Sequence, residues 1–213
     1  MSHHPPPPPL GPAAFLAAFL RSPRRIASAL PSGAALSDIM VRDIPLGVPI
    51  LELGAGTGVF TRAMLHQGVA EADLTLIERH PGFARRLAAC HPRARVLDGD
   101  AARLGRHLAK GDVAAAISGL PLLSMSTATK FRILASVFGA LCRDGALYQF
   151  TYGPRAPVPA AMLKRLGLVA EEVGFTWRNL PPARVYRLSR RQAPAAGHAP
   201  ATAPGAEERR DAA

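Results

Sequence analysis

Ile50-Leu51-Glu52-Leu53-Gly54-Ala55-Gly56-Thr57-Gly58-Val59-Phe60 is an apolar run that breaks into three alternating glycines. The run from Ile50 to Leu53 reads as a buried parallel strand, because such strands are covered on both faces. Val59 to Gln67 then reads as a helix, with Val59, Phe60, Ala63 and Met64 at near-helical spacing. Strand, glycine turn and helix form the opening unit of a nucleotide- or nucleoside-binding α/β fold. Glycine is needed in the turn because a side chain would hold a ligand off the backbone and strain the chain.

Spacing separates the ligands that such a unit can hold. In the dinucleotide fingerprint G-x-G-x-x-G the third glycine would fall where this chain has Val59; glycine stands at 58 instead. Two further strand ends carry acids. Leu74 to Glu78 ends in a carboxylate placed to accept both hydroxyls of a ribose. Val96-Leu97-Asp98-Gly99-Asp100-Ala101 ends a third strand, with Asp100 placed to take an adenine amino group. The Glu52-Leu53-Gly54-x-Gly56-x-Gly58 pattern resembles motif I of the class I S-adenosylmethionine (SAM) methyltransferases. That resemblance implies SAM as cofactor, with S-adenosylhomocysteine as product. The expected binding residues are Glu52, Gly54, Ala55, Gly56, Gly58, Glu78, Arg79, Asp100, Ala101, Ser118 and Gly119, Glu52 acting structurally or through water.

The elements around this unit alternate. Gly82 to Cys90, Ala101 to Leu108, Ser126 to Leu141 and Pro157 to Gly167 read as helices. Arg95 to Asp98, Asp112 to Ser118 and Gly145 to Tyr152 read as strands, and Glu172 to Arg178 with Ala183 to Leu188 as a closing pair. The fold class is therefore α/β, a Rossmann-like, mostly parallel sheet flanked by helices. Seven strands with an antiparallel last one are what the resemblance implies. Ligands of such sheets bind at the carboxyl ends of the strands.

The chain divides into a proline-rich arm at 1–12, a helical extension at 13–45, a methyltransferase domain at 46–191 and a polar Ala/Pro-rich tail at 192–213, the arm and the tail both read as disordered. Leu10 to Leu20 is too short to span a bilayer, which takes roughly 20 apolar residues, and its charges follow it, unlike a signal peptide. Phe15, Leu16, Phe19 and Leu20 share one helical face, and Arg21, Arg24 and Arg25 come directly after. An apolar face next to arginines fits a helix lying in a membrane interface, while a helix covering a sheet edge has the same pattern. A further helix from Pro31-Ser32 carries Leu36, Ile39 and Met40.

Lys and Arg number 26 against 15 Asp and Glu, nearly all the cations being arginine, which fits either a GC-rich genome or a polyanionic partner such as RNA, DNA or an anionic membrane. Cys90 and Cys142 have no paired spacing, so neither a metal site nor a disulfide framework is expected.

The acceptor is read at the end of the fourth strand. Methyltransferases of the adenine amino group carry an N-L-P-Y or D-P-P-Y type of motif there, to grip and stack the base. This chain has Ser118-Gly119-Leu120-Pro121-Leu122, without the amide and without the ring. Three other stretches resemble the bacterial phospholipid N-methyltransferases, which convert phosphatidylethanolamine toward phosphatidylcholine. They are Phe19 to Ile26 with Pro31-Ser32; Ser118 to Pro121; and Gln149 to Gly153 with Trp177-Arg178-Asn179-Leu180-Pro181-Pro182-Ala183-Arg184-Val185-Tyr186. Pro31-Ser32-Gly33 departs from the pattern, where a second serine is expected. The resemblance implies a peripheral enzyme on the cytoplasmic face of the cell membrane, with an anionic membrane surface and a phospholipid as partners and no nucleic acid. Phe15, Phe19, Arg21, Arg24 and Arg25 would then bind the membrane.

Such chemistry needs a deprotonated amine, which for an ammonium of pKa roughly 10 costs about 4 kcal/mol at pH 7. It also needs a cation for a headgroup phosphate and an aromatic wall for a methylated ammonium. Tyr152 and Tyr148 share one face of the fifth strand and are the catalytic candidates; a core position with a satisfied hydroxyl is the other reading of each. Asn179 and Arg184 are the substrate-binding candidates, Arg184 reading equally as a solvated strand residue. Trp177 reads as core, and His66, His80, His91 and His107 as surface residues. The alternatives are an RNA N6-adenine methyltransferase and a non-catalytic SAM- or lipid-binding module.

Overall fold

A computed structural model describes residues 32–179 and 181–191. The arm at 1–12, the membrane candidates Phe15, Phe19, Arg21, Arg24 and Arg25, and the tail at 192–213 lie outside the described residues.

Helix α1 (Ser32–Val41) leads into β1 (Ile50–Leu53), α2 (Val59–Gln67), β2 (Leu74–Glu78), α3 (Pro81–Cys90) and β3 (Arg95–Asp98). A 3-10 helix (Ala101–Arg106) follows, then β4 (Val113–Ser118), a 3-10 turn (Leu122–Ser124), α4 (Thr127–Ala140), β5 (Leu141–Thr151), α5 (Ala160–Leu166), β6 (Leu168–Thr176) and β7 (Ala183–Arg190). The seven strands form one sheet in the order β3-β2-β1-β4-β5-β7-β6, with β7 antiparallel to both of its neighbours. The expected architecture is the observed one. The order reverses between β1 and β4, and the registers align Leu53 with Ile77 and with Ser118. The carboxyl ends of β1, β2 and β4 thus open on one crevice.

Local signals set the element ends. Pro81 occupies the first turn of α3, and His80 caps it by accepting the Gly82 N–H at Nδ1, 3.2 Å away. Ser126 caps α4 through the Thr129 N–H at 3.2 Å. Gly167, at φ +66°, closes α5 in the left-handed conformation that glycine adopts freely. Two strands start earlier than the sequence suggests. β5 begins at Leu141 and carries Gly145 at an irregularity opposite β4, where a Cβ would lie 2.8 Å from the Ala114 carbonyl oxygen. β6 begins at Leu168 and shifts register between Glu172 and Gly174. A bulge hides the alternation that identifies a strand in sequence.

Each face of the sheet has its own core. On one face, Leu104, Leu134, Val137 and Met162 pack beneath the 3-10 helix, α4 and α5 with Leu51, Leu147 and Tyr186. On the other, Leu36 and Met40 of α1, Met64 of α2 and Leu87 of α3 pack on Ile50, Leu76, Tyr148, Phe150 and Val185. Helix α1, read from sequence as part of the extension, is thus built into the same core as the strands. Gly174 lies under it: a Cβ there would collide with Ile39 Cγ2. Arg42, at the end of α1, donates to the Val173 carbonyl at 2.8 Å and pins the helix to the β6 bulge.

Candidate active site

The loop after β1 is shaped by backbone geometry. Gly54, Gly56 and Gly58 have φ of +66°, +53° and +74°, a region closed to most side chains. Their surroundings differ. A Cβ on Gly54 would sit 2.6 Å from Leu120 Cδ2, so this glycine lets the β1 and β4 loops touch. A Cβ on Gly56 would meet nothing nearer than the Gly54 carbonyl oxygen at 3.8 Å and would project into open space. Gly119 completes the junction, since a Cβ there would approach the Gly54 carbonyl oxygen to 2.9 Å. Ser118 is buried at the end of β4, and its hydroxyl accepts the Leu120 N–H at 3.3 Å.

Glu78 holds this loop from the neighbouring strand. Its Oε2 accepts the Gly56 N–H at 2.9 Å and its Oε1 accepts the His80 N–H at 2.7 Å. Each carboxylate oxygen keeps further acceptor capacity, so the bonds that fix the loop leave Glu78 able to receive hydroxyl donors. Asp100, exposed at the mouth, caps the 3-10 helix through Oδ1 to the Ala102 N–H at 2.9 Å. Ala101 beside it is buried, whereas Arg79 is exposed. Helix α2 starts from Gly58 with no side-chain cap, leaving first-turn N–H donors to face an anionic group. An open glycine cradle, with an acid at the end of β2 that keeps free acceptor capacity and a second acid just after β3, is compatible with SAM.

Glu52 is fully buried beneath the loop. Its Oε2 accepts the Thr61 hydroxyl at 2.5 Å, and its Oε1 has no partner among the described residues. Burial raises its pKa to about 8, against the lowering effect of the Thr61 bonds, so the carboxyl stays protonated at neutral pH.

The β4–β7 side is built of rings. Phe60, in the first turn of α2, lies 6.0 Å from the Phe150 ring, and Phe150 meets Tyr152 edge-on at 5.3 Å. A Cβ on Gly119 would be 3.7 Å from Phe60 Cε2, which places this aromatic wall beside the β4 loop. Neither Phe60 nor Phe150 was assigned a part in the site from sequence: Phe60 read as an apolar position of the helix after β1, and Phe150 stood only within the Gln149 to Gly153 stretch. Tyr152 is half-buried at the end of β5; burial raises its pKa and a hydrogen bond from the Asn179 amide opposes the shift. Two candidates from distant parts of the sequence thus meet, and Asn179 also donates to the Pro181 carbonyl at 3.0 Å. The 119–122 stretch offers no base grip, because Leu122 is packed in the core.

Other candidates fall elsewhere. Tyr148 is buried, its pKa raised by burial, and its hydroxyl donates to the Asp43 carbonyl at 3.0 Å. It secures the segment between α1 and β1. Arg184 stands on the sheet face of Tyr186, opposite the face that carries Val185 and Phe150. Its guanidinium donates to Glu172 at 2.7 Å and lies 4.7 Å from the centre of the Phe175 ring. Tyr152 and Arg184 therefore do not share a face, because residues that alternate along β7 diverge to opposite layers.

Two readings are corrected. Trp177, expected in the core, is 78% exposed, because it lies just beyond the end of β6; its ring meets Phe175 in a T-shaped contact, 4.7 Å between ring centres. His91, expected on the surface, is buried behind α3 with Nδ1 3.7 Å from Glu71. Gln149 is a further residue that sequence reasoning did not assign. It is buried on β5 and donates to the Leu120 carbonyl at 3.1 Å, holding the β4 loop from below.

No protein-family model matches the chain. It is 31% identical over 182 residues to the ornithine lipid N-methyltransferase of Singulisphaera acidiphila, a match covering 81% of this chain and 92% of that protein. Among solved structures it resembles the 1,6-didemethyltoxoflavin-N1-methyltransferase of Burkholderia thailandensis, with a TM-score of 0.62 at 16% identity over 87% of this chain and 93% of that one. It also resembles the TehB-like SAM-dependent methyltransferase of Corynebacterium glutamicum, with a TM-score of 0.59 at 20% identity over 84% and 99% of the two chains. Both structural likenesses speak for the fold. The chain belongs to the family of the Singulisphaera acidiphila ornithine lipid N-methyltransferase, within the class I SAM-dependent methyltransferases, and SAM is its cofactor.

Proposed function

We propose that this protein methylates the amine of a membrane lipid headgroup at a membrane surface, phosphatidylethanolamine and its mono- and dimethyl derivatives being the acceptors read from the sequence. The observation that carries the reading is the aromatic wall of Phe60, Phe150 and Tyr152 beside a β4 loop whose Gly119 and buried Leu122 cannot grip a nucleobase. An aromatic face attracts an ammonium, and more so once the ammonium is desolvated. The name of the 31% identical relative favours a second acceptor of the same chemistry, an amine of an ornithine lipid.

SAM supplies a methyl group on a cationic sulfur. When SAM is bound, the Gly54–Gly58 cradle, Glu78 and Asp100 would hold its nucleoside, leaving the β4–β5 side of the crevice for the acceptor amine. Burial keeps the Tyr152 phenol neutral. It therefore acts as a hydrogen-bond acceptor that orients the amine, and Asn179 fixes its hydroxyl; it is not a base at neutral pH. The headgroup anion needs a cation from outside the Arg184–Glu172 pair, since that guanidinium already has its counter-charge. Among the described residues no helix is long and apolar enough to cross a membrane. Attachment through Phe15, Phe19, Arg21, Arg24 and Arg25 on the cytoplasmic side belongs to the same proposal.

The test is methyl transfer from labelled SAM to vesicles of phosphatidylglycerol mixed with phosphatidylethanolamine or with ornithine lipid, run beside structured ribosomal RNA. Label in either lipid supports the reading and selects the headgroup. Label in RNA alone overturns it.

A further inference from the structure

Three chain segments leave the sheet side by side on the acceptor side of the crevice. They are the turn after β4, the loop after β5 and the turn after β6, all at carboxyl ends because β6 runs parallel to β5 through their shared antiparallel partner β7. Two of them present something that a water-facing rim ordinarily avoids. Trp177 follows β6 and is 78% exposed; Leu123, in the turn after β4, is 44% exposed. The β4 and β5 loops touch here, since a Cβ on Gly153 would lie 3.5 Å from Leu123 Cδ1. Arg155 and Arg178, on the same loops, are exposed. The Trp177 backbone is firmly placed: Phe175 supports the ring, and the Thr176 hydroxyl accepts the Arg178 N–H at 3.1 Å.

The geometry points to a bilayer-docking rim in which Trp177 and Leu123 enter the interface of an anionic membrane and Arg155 and Arg178 meet its headgroups. The occupant is a lipid surface for two reasons. Tryptophan settles at the headgroup level of bilayers, where its ring is apolar and its N–H stays wet. Arginines beside it match anionic lipid, each adding roughly fivefold in affinity. The rim borders the Tyr152 end of the crevice, so docking would turn the acceptor side toward the membrane. A headgroup amine could then reach it while its acyl chains stay in the bilayer. This inference rests on the lipid reading above and adds a membrane contact in the folded core, separate from residues 13–31.

Trp177 is the sole tryptophan of the chain, so its emission reports the rim without labels. The full-length protein is titrated with phosphatidylglycerol/phosphatidylethanolamine vesicles, with and without lipids brominated high on the acyl chain. The expected result is a blue shift with quenching by the brominated lipid. The variant Trp177→Ala/Leu123→Ser should bind vesicles at least about tenfold more weakly, as loss of one buried large apolar side chain alone implies, with unchanged SAM affinity. Unshifted emission while the protein co-sediments with vesicles overturns the rim. So does emission already blue before vesicles are added, which would mean that another part of the chain covers Trp177. Absence of vesicle binding overturns it as well. Methyl transfer to detergent-dispersed phosphatidylethanolamine and ornithine lipid is measured in parallel. Activity there with an unshifted Trp177 discards the rim and keeps the lipid reading; no transfer to any lipid discards the lipid reading itself.

Discussion

In the half of the sheet formed by β1, β2 and β3, the acids at the strand ends, Glu78 and Asp100, are bonded to backbone N–H groups. In the half formed by β4 to β7, the corresponding ends carry Tyr152 and Trp177, with Phe60 and Phe150 behind. In the proposed function the first half would hold SAM, a ligand of fixed shape. Its polar groups are positioned by short-range bonds, and its glycines keep the backbone within reach. The second half offers surface and polarisability rather than directed bonds, which suits an ammonium that grows by successive methyl groups. The division falls at the strand-order reversal between β1 and β4, where α/β sheets leave a natural cleft.

The sharpest test of the division is Gly56→Val. The side chain would fill the cradle and face a φ of +53° without touching the core. SAM affinity is expected to fall by about 100-fold or more, equivalent to roughly 3 kcal/mol, with the fold intact by circular dichroism. Near-normal affinity by calorimetry would remove the loop from the cofactor site. Both substitutions carry the strain of a positive φ, and Gly54→Val should lower the thermal midpoint further, because it also strikes Leu120 and unseats the neighbouring loop.

Glu52 gives the next largest effect, through pH. Its folded pKa, about 8, lies above the usual carboxylate value of 4.5. Between those values the native state keeps a proton that the unfolded chain has released, so stability falls as pH rises through this window and is lowest above 8. The penalty is on the order of a few kcal/mol. In Glu52→Gln that slope should vanish, and its thermal midpoint should gain on the wild type between pH 5 and pH 9. Parallel midpoints across that range would show that the carboxyl is not held protonated.

Tyr152→Phe probes the acceptor half alone. The ring stays in the wall while the oriented hydroxyl is lost. We expect kcat to fall by roughly fivefold to tenfold, as the loss of one orienting hydrogen bond of about 1 kcal/mol implies, with SAM affinity unchanged. A loss of SAM binding instead would merge the two halves into one site. A purely structural control is Gly174→Ala, which should destabilise the fold by about 1–3 kcal/mol through overpacking against Ile39, again without changing SAM affinity.

The smallest effect is expected from Arg184→Ala. Its pair with Glu172 is about one-third exposed on both sides, and such pairs contribute about 1 kcal/mol or less. The KM for lipid should be unchanged. A large rise in KM would restore Arg184 to the headgroup site that the sequence suggested.

How much of this was legible beforehand depends on the range of the interaction. The order of strands and helices, the glycine turn and the acids Glu78 and Asp100 could be read because each is a local pattern. Apolar runs, glycine spacing and a carboxylate at a strand end are set by neighbours in sequence. The sequence by itself thereby determined the fold class and the identity of the cofactor. Only the tertiary structure decided how the β4 to β7 half is assembled. Phe60 and Phe150 come from different strand–helix units and meet because β1 and β5 flank β4. Arg184 could not be assigned a face until the β6 bulge fixed its register against Glu172 and Phe175. Trp177 could not be distinguished from a core residue until β6 was seen to end at Thr176. The raised pKa of Glu52 arises from complete desolvation, a property of everything packed around it. Side chains that work through directed local bonds leave a pattern in sequence, whereas those that work through burial and juxtaposition acquire their meaning only when the chain closes on itself.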